Sequence, residues 1–404
     1  MALIGRLIGS LLTSGRLTVV TADGKRETYG PGGGKTMTVR FHDRRVPLEI
    51  MRNPRLGFGE AFMNGRLTIE DGDILEFLEL VVGGNRWEFG EEGRRALRKG
   101  KSLLNLFGRR NSPLKSRRNV AHHYDVGNDL YRLFLDDDLQ YSCAYFTDPA
   151  NSLEQAQSNK KAHIAAKLAL KPGQRVLDIG SGWGGTALYL NRVAGVEVLG
   201  VTLSEEQLKV ARERAEAAGV ADQVKFELID YRAVTGEFDR IVSIGMFEHV
   251  GAAHYNEFYA TCRKLLKPDG VMLLHTIGRF GSSGAPDPFT DKYIFPGYHL
   301  PSLSEMFEAS QNNRLIASDV ETLRLHYAYT LRHWMERTRA AKAKIVAMYD
   351  ERFYRLWEFY LAGAILMFES GAACNYQIQY IRDRAAVPIT RDYMAEAEAR
   401  YRAS

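Results

Sequence analysis

The chain has 404 residues, 45% hydrophobic and 25% charged, long enough for two domains with real cores. No apolar run reaches the length of a membrane span, and Cys143, Cys262 and Cys374 are too widely spaced for a disulfide framework or a zinc site, which fits a reducing cytoplasm. Net charge is +5, but residues 1–120 hold 22 Lys/Arg against 13 Asp/Glu while residues 121–404 hold 32 against 36, so the N-terminal third is suited to an anionic partner, membrane or nucleic acid.

At the N-terminus Leu3, Ile4, Leu7, Ile8, Leu11 and Leu12 recur at helical spacing beside Arg6 and Arg16. This predicts an amphipathic helix, docked on the protein's own core or lying in a membrane interface. Arg6 interrupts the apolar stretch and no small-residue cleavage site follows, so a signal peptide is not expected. Residues 15–90 alternate in short runs, with turns at Asp23-Gly24 and Gly32–Gly34. The stretch RLTIEDGDILEFLELV reads as strand, turn and helix. Residues 1–93 are therefore expected to form a small α+β domain.

Residues 94–119 read as a linker, since Arg94 to Arg118 holds ten Lys/Arg and no acid. It is either a solvated connection or a basic collar on anionic lipid, where each cation near the surface adds about 1 kcal/mol. Nucleic acid is the weaker reading, because few aromatics interleave the charges. From about Val120 the pattern changes. Helical segments at 119–136 and 152–169 lead to strands at 174–179, 196–201, 224–229, 239–244 and 270–276. Alternation with helices predicts an α/β fold, a doubly wound, mostly parallel sheet. Lys267-Pro268-Asp269-Gly270 is a turn signal. The Gly- and Pro-rich excursion at 278–303 reads as a lid. Residues 305–384 read as helices rich in aromatics, among them Trp334, Phe353, Tyr354, Trp357, Phe359 and Tyr360.

The stretch VLDIGSGWGG, Val176 to Gly185, carries the clearest chemistry. A short buried strand, a glycine turn and a helix make a nucleotide-binding corner. Asp178 at the strand tip would repel a pyrophosphate but can take the ammonium of an amino acid. The second strand ends in Thr202, Leu203 and Ser204, with Gln207 next, where a dinucleotide site wants an acid for the ribose. The corner therefore resembles a class I S-adenosylmethionine (SAM) methyltransferase.

YSCAYF (Tyr141–Phe146), MFEHVG (Met246–Gly251), LLHTIG (Leu273–Gly278), HYAYTL (His326–Leu331) and YDVGNDLYRLFL (Tyr124–Leu135) accompany the glycine turn. Together they resemble the cyclopropane fatty acid synthase family, which includes the mycolic acid cyclopropane synthases. The resemblance covers about 120–390 well and 1–95 loosely. It implies a methyltransferase domain over 120–404 with a lipid-binding insertion around 278–345. It implies methylene transfer from SAM to the cis double bond of a phospholipid acyl chain, with bound bicarbonate as base. The bicarbonate cage it implies is the Cys143 backbone, Glu248, His275, the Ile277 backbone and Tyr327. For SAM it implies Tyr141 and Ser142 at the methionine end, Gly180, Gly182 and Trp183 at the turn, Thr202, Leu203 and Gln207 at the ribose, and Asp230 and Tyr231 at the adenine. No metal is implied.

Glu248 and His275 fall at or just beyond strand ends, where ligands of open α/β sheets bind. Each could instead cap or pack, as could Tyr327, and Cys143 could be a small buried residue. Glu248 beside an anion repels it unless a proton is shared or the glutamate orients His275. A carbocation needs a dry pocket, and Tyr145, Phe146, Phe247, Phe295, Tyr298 and Tyr329 are candidates to line it or to pack the core. A catalytic cysteine late in the chain is not expected: WEFYL is followed by Ala362, Gly363 and Ala364, and Cys374 lies further on. The expected protein is cytoplasmic and peripheral to the inner membrane face, binds no nucleic acid, and leaves a homodimer open. A lipid methyltransferase giving a branched or methylene product, a small-molecule methyltransferase, and a lipid-binding protein with a vestigial SAM fold are the alternatives.

Overall fold

The computed structural model describes residues 9, 11–84, 86–89, 127–282 and 284–403. The basic run at 94–118, most of the N-terminal amphipathic segment and the start of the 119–136 helix lie outside the described residues. Among the described residues no helix is long and apolar enough to cross a membrane. The chain divides into two compact units. One takes the described residues of Met1–Leu106, Pro286–Pro296 and Leu331–Ala373, the other those of Phe107–Ala285, Gly297–Thr330 and Cys374–Ser404.

The first unit contains β1 (Gly15–Val20), β2 (Arg26–Gly32), β3 (Thr36–Phe41) and β4 (Leu67–Ile69), ordered β2-β1-β3-β4. Helix Ile74–Val82 follows, closed at its start by the Asp73/Glu76 capping box. The strand, turn and helix expected around residues 66–82 are thus present. The late aromatics fill this unit. Phe359, on helix Glu351–Glu369, lies 6.0 Å from Phe58 and 4.7 Å from Phe289, and Phe58 stacks on Phe77 at 4.8 Å.

The second unit is built on β5 (Arg175–Ile179), β6 (Glu197–Thr202), β7 (Val224–Leu228), β8 (Phe238–Ile244), β9 (Leu266–Gly278), β10 (Ile316–Thr322) and β11 (Cys374–Ile381), ordered β10-β11-β9-β8-β5-β6-β7. β5 to β9 run parallel, and β11 runs antiparallel to both neighbours. Apolar residues such as Val176, Leu177 and Ile179 are buried on both faces of the sheet, which is why these strands read as continuous apolar runs. Chain order reverses between β5 and β8, and the carboxyl ends there form the crevice where such sheets bind ligands. Helix Leu153–Lys167 starts at Ser152, whose side chain accepts the Gln155 N–H.

Three expectations change. Residues 305–384 are not helical throughout, because β10 and β11 interrupt them. β11, CNYQIQYI, is wholly buried, and its alternating amides conceal a central strand. The 278–303 excursion is not a plain lid: it contains helix Pro288–Tyr293, with Asp287 as cap and Pro288 in its first turn. The domain boundary also moves. Residues 286–296 and 331–373 group with the N-terminal unit, so 120–404 is not one domain, and the 278–345 insertion is shared between the units.

Candidate active site

The chain leaves β5 at Ile179 and turns through the glycines. Gly180 and Gly184 have φ of 86° and 83°, a region that costs an L-residue. A Cβ on Gly180 would sit 2.9 Å from Met246 Cβ, and one on Gly184 2.7 Å from the Phe226 ring. Gly182 differs, since a Cβ there meets nothing within 4 Å. Open space therefore borders the middle of the turn. Asp178, 2% exposed, has a buried Oδ2 without a hydrogen-bond partner. Burial pushes its carboxyl up to about 7, and the Lys160 charge opposes this. An orphaned buried carboxyl oxygen is costly. Beside an open glycine turn it fits the ammonium of the SAM amino acid.

The remaining SAM candidates cluster around this corner. Trp183 is buried, donates from Nε1 to Asn128 Oδ1 at 2.9 Å and lies 5.1 Å from the Tyr131 ring. Tyr141 packs edge-on to the same Tyr131 at 5.1 Å. At the end of β6, Thr202 Oγ1 donates to Gln207 Oε1 at 3.2 Å and accepts the Ser204 N–H. Leu203 is half-buried between them. After β7, Asp230 is tied to Arg232 by an ion pair of 2.7 Å, and the Arg232 guanidinium lies over the Tyr231 ring.

The structure brings Glu248, Ile277 and His275 together. Ile244 at the end of β8 pairs with His275 in β9, and Glu248 follows in the next turn. The Ile277 N–H donates to Glu248 Oε1 at 2.6 Å, while Oε2 is buried without a partner. Burial pushes the Glu248 carboxyl up to about 7, against the Ile277 hydrogen bond. The carboxyl is therefore far more readily protonated near neutrality than an exposed glutamate. His275 faces Gln377 across the strands at 3.1 Å from Nδ1, and Asn375 at 3.3 Å from Nε2. A neutral imidazole has one donor and one acceptor. One amide must therefore turn its oxygen to the ring, which gives a partner to an otherwise unpaired Asn375 Oδ1 or Gln377 Oε1. Burial drives the His275 pKa down, so the ring is neutral.

The loop that carries Cys143 is anchored from two sides. Gln157 Nε2 donates to the Gln140 and Ser142 carbonyls at 3.1 and 3.0 Å. Lys160 Nζ donates to Gln140 Oε1 and Ser142 Oγ. On the other side, the Ala144 N–H donates to Thr330 Oγ1 at 3.0 Å and the Phe146 N–H to His326 Nδ1 at 3.0 Å. The HYAYT segment thus holds the loop through residues flanking Tyr327, itself 7% exposed. Cys143 is 1% exposed and burial raises its thiol pKa far above the usual range. Cys374 is buried in β11 with its thiol pushed up to about 11; neither is a thiolate.

Sequence reasoning missed Gln157, Lys160, Thr330, Asn375 and Gln377. Its available signal was a polar residue on an otherwise apolar helix face or strand. The candidate aromatics divide. Phe247 is core, stacked on Tyr255 at 4.4 Å and wholly buried. Phe295 packs on Tyr360 in the first unit. Tyr145 is stacked between His163 and His326 at 4.0 and 4.8 Å, and Phe146 lies edge-on to Tyr329 at 5.6 Å. Tyr298 is 8% exposed.

The chain is similar to proteins of known family. The chain is 39% identical over 334 residues to the cyclopropane-fatty-acyl-phospholipid synthase of Escherichia coli, covering 82% of this chain and 85% of that one. It is 36% identical over 384 residues to a probable fatty acid methyltransferase of Pseudomonas putida, covering 92% and 94%. Among solved structures it is similar to the cyclopropane synthase MmaA2 of Mycobacterium tuberculosis, with 33% identity and a TM-score of 0.63 over 65% of this chain and 97% of that one. The mycolic acid cyclopropane synthase CmaA1 complexed with SAH and CTAB matches at 35% identity and the same TM-score, covering 65% and 97%. A domain of unknown function matches residues 10–86. The model of the mycolic acid cyclopropane synthetase family matches residues 111–378, and the chain belongs to that family as a SAM-dependent methyltransferase of the class I fold.

Proposed function

We propose that the protein transfers a methylene from SAM to the cis double bond of an unsaturated acyl chain in a membrane phospholipid, with bicarbonate bound as the base. The alkene π pair forms a bond to the SAM methyl carbon as the carbon–sulfur bond breaks, leaving S-adenosylhomocysteine and a carbocation. One proton then leaves the added carbon, and its electron pair closes the ring. Bicarbonate, when bound, supplies the acceptor for that proton.

Glu248 carries the reading. Its Oε1 is fixed by Ile277 and its Oε2 is buried and unpartnered. Protonated on Oε2, the carboxyl donates a hydrogen bond to an anion instead of repelling it. The fit of the other cage groups is uneven. The Ile277 N–H is engaged by Glu248, and the His275 ring by Asn375 and Gln377. His275 therefore orients and rigidifies the end of β9, while Glu248, the Cys143 backbone and Tyr327 are proposed to hold the base.

A phospholipid substrate calls for a docking surface. Arg45, the N-cap of helix Val46–Arg52, is followed at helical spacing by Leu48 and Arg52, opposite the buried Val46 and Ile50. Arg44 and Arg55 flank them, all are exposed, and Leu48 is 64% exposed. The local acids Asp43 and Glu49 are taken by Arg66 at 2.7 and 2.8 Å. This cationic and apolar stripe supports docking on an anionic membrane.

Mass spectrometry of lipids from cells expressing the chain tests the reading. Phospholipid acyl chains that gain one CH₂ and resist ozonolysis are expected. A gain that ozone still cleaves makes the product a methylated alkene, and no gain on any acyl chain refutes lipid methylene transfer.

A further inference from the structure

Helix Leu153–Lys167 sends a charged residue into the interior. Lys160 is 0% exposed. Its ammonium donates to Gln140 Oε1 at 2.6 Å and Ser142 Oγ at 2.9 Å. Among the described residues no carboxylate lies within ion-pair distance of it. The charges that face it are already committed or orphaned. Asp138 is paired with Lys161 and Arg214. Asp136 accepts the Gln140 and Asp138 N–H groups. Asp178 has its Oδ2 unpartnered. Cys143 and His275, also nearby, are neutral. A buried cation without a counter-charge is expensive, and burial lowers the Lys160 pKa to about 8. A buried, perturbed group of this kind beside a cleft is a candidate for completion by a ligand.

Of the two acceptors of Lys160, Gln140 lies over the glycine turn and Ser142 beside Gly245, at the end of β8. The space that a side chain on Gly185 would fill is occupied by the Asp138 carboxylate and the Gln140 amide. Thr186, one residue into the helix, donates to Gln140 Oε1 at 3.4 Å. Lys160 thus fixes two polar side chains at the corner where Asp178 waits.

We propose that Lys160 is a positioning residue for the amino-acid end of SAM. It complements the ligand carboxylate through the Ser142 hydroxyl, which accepts from Lys160 and keeps its own proton to donate. Gln140, its amide donating to Asp138, holds the Lys160 ammonium in place, while Asp178 takes the ligand ammonium. The pair forms a built-in dipole for a zwitterion. The proposal rests on the reading that the glycine turn holds SAM. It assigns Lys160 to selection of ligands that carry the amino acid, not to the adenosine end or to the proton transfer.

The test compares two ligands on the full chain by calorimetry. S-adenosylhomocysteine carries the zwitterion; methylthioadenosine keeps the adenosine and thioether and lacks the amino acid. Lys160→Met keeps the length and removes the charge. It should weaken S-adenosylhomocysteine by roughly ten- to a hundredfold, the range for a lost charged hydrogen bond, and leave methylthioadenosine within about twofold. Equal losses for both ligands make Lys160 merely structural and overturn the proposal, as does unchanged S-adenosylhomocysteine affinity. If Lys160→Met loses the native circular dichroism spectrum, Ser142→Ala decides. It removes one acceptor of the ammonium and should weaken S-adenosylhomocysteine alone, and an unchanged affinity again overturns the proposal. A parent protein that binds neither ligand refutes the placement of SAM itself.

Discussion

The Ile277 N–H and the Glu248 carboxyl share one short hydrogen bond, 2.6 Å from N to Oε1, and it leaves Oε2 buried and unpartnered. The bond holds the carboxyl in one orientation, and burial raises its pKa to about 7. The group is therefore a hydrogen-bond donor below pH 7 and an anion above it. Turnover at fixed bicarbonate should fall as pH rises through about 7. Glu248→Gln keeps an acceptor for the Ile277 N–H and a permanent donor at the other position. It should retain much of the activity and flatten the pH profile. Glu248→Leu removes both and should lose on the order of 100-fold, with affinity for S-adenosylhomocysteine close to the parent. Initial rates on unsaturated phospholipid vesicles from pH 6 to 8.5 are the measurement. A Gln variant with the parent's pH profile would falsify the donor role.

The same shift has a consequence for stability. Glu248 titrates near 4.5 when unfolded and near 7 when folded. The folded state binds the extra proton between those values, so this group's contribution is full below about pH 4.5 and is lost as pH rises to about 7. The loss at pH 8 is on the order of 3 kcal/mol. Glu248→Gln does not titrate. Thermal melts should show the variant gaining on the parent between pH 5 and pH 8, and a constant difference across that range refutes the burial account.

Gly182 separates ligand from fold at the SAM turn. At Gly180 a side chain meets Met246 and the backbone is left-handed, so Gly180→Val damages the fold before it reports on a ligand. At Gly182 the same Cβ enters open space, with φ of 53°. Gly182→Ala should cost only about 1–2 kcal/mol of backbone strain while narrowing the space beside Asp178. Calorimetry is expected to give a folded protein with weakened SAM binding. A folded Gly182→Ala variant that binds SAM like the parent removes the turn from the site.

Where the sequence was legible, the physical cause was local. β5 is a buried parallel strand, and buried parallel strands are apolar throughout, so VLDI announces itself. Asp178 and Glu248 were legible because a carboxyl at a strand end has few structural reasons to be there. β11 was not legible. Asn375, Gln377 and Gln379 alternate along it, and a buried amide reads as a solvent-facing one until its partner is known. His275 is that partner for Asn375 and Gln377, and it lies across a pairing of β9 with β11 that no local pattern encodes. Lys160 was missed for the same reason, since a lysine on a helix is ordinarily solvated. The aromatics of 353–360 were visible on their helix, Glu351–Glu369, but their partners were not, because what they pack on, Phe58 and Phe62 among others, is distant in the chain.

The basic stripe around Leu48 gives the remaining prediction. Arg44, Arg45, Arg52 and Arg55 are exposed, and none forms an ion pair among the described residues. Each cation at an anionic surface contributes about 1 kcal/mol, screened by salt. Leu48 adds a small apolar contribution if it enters the headgroup layer. Four Arg→Gln changes should therefore weaken vesicle binding at least roughly tenfold at low salt, and leave binding to neutral phosphatidylcholine unchanged. Leu48→Ser should weaken both vesicle types slightly. The basic run at 94–118 remains in every variant, so it sets a floor of binding that the stripe does not explain. Cosedimentation with phosphatidylglycerol and phosphatidylcholine vesicles, at low and at physiological salt, measures each share. SAM affinity should be the same in all variants, since none of these residues belongs to the unit that holds the glycine turn. If the fourfold variant binds phosphatidylglycerol as the parent does, the stripe is an ordinary solvated surface and membrane docking belongs elsewhere in the chain.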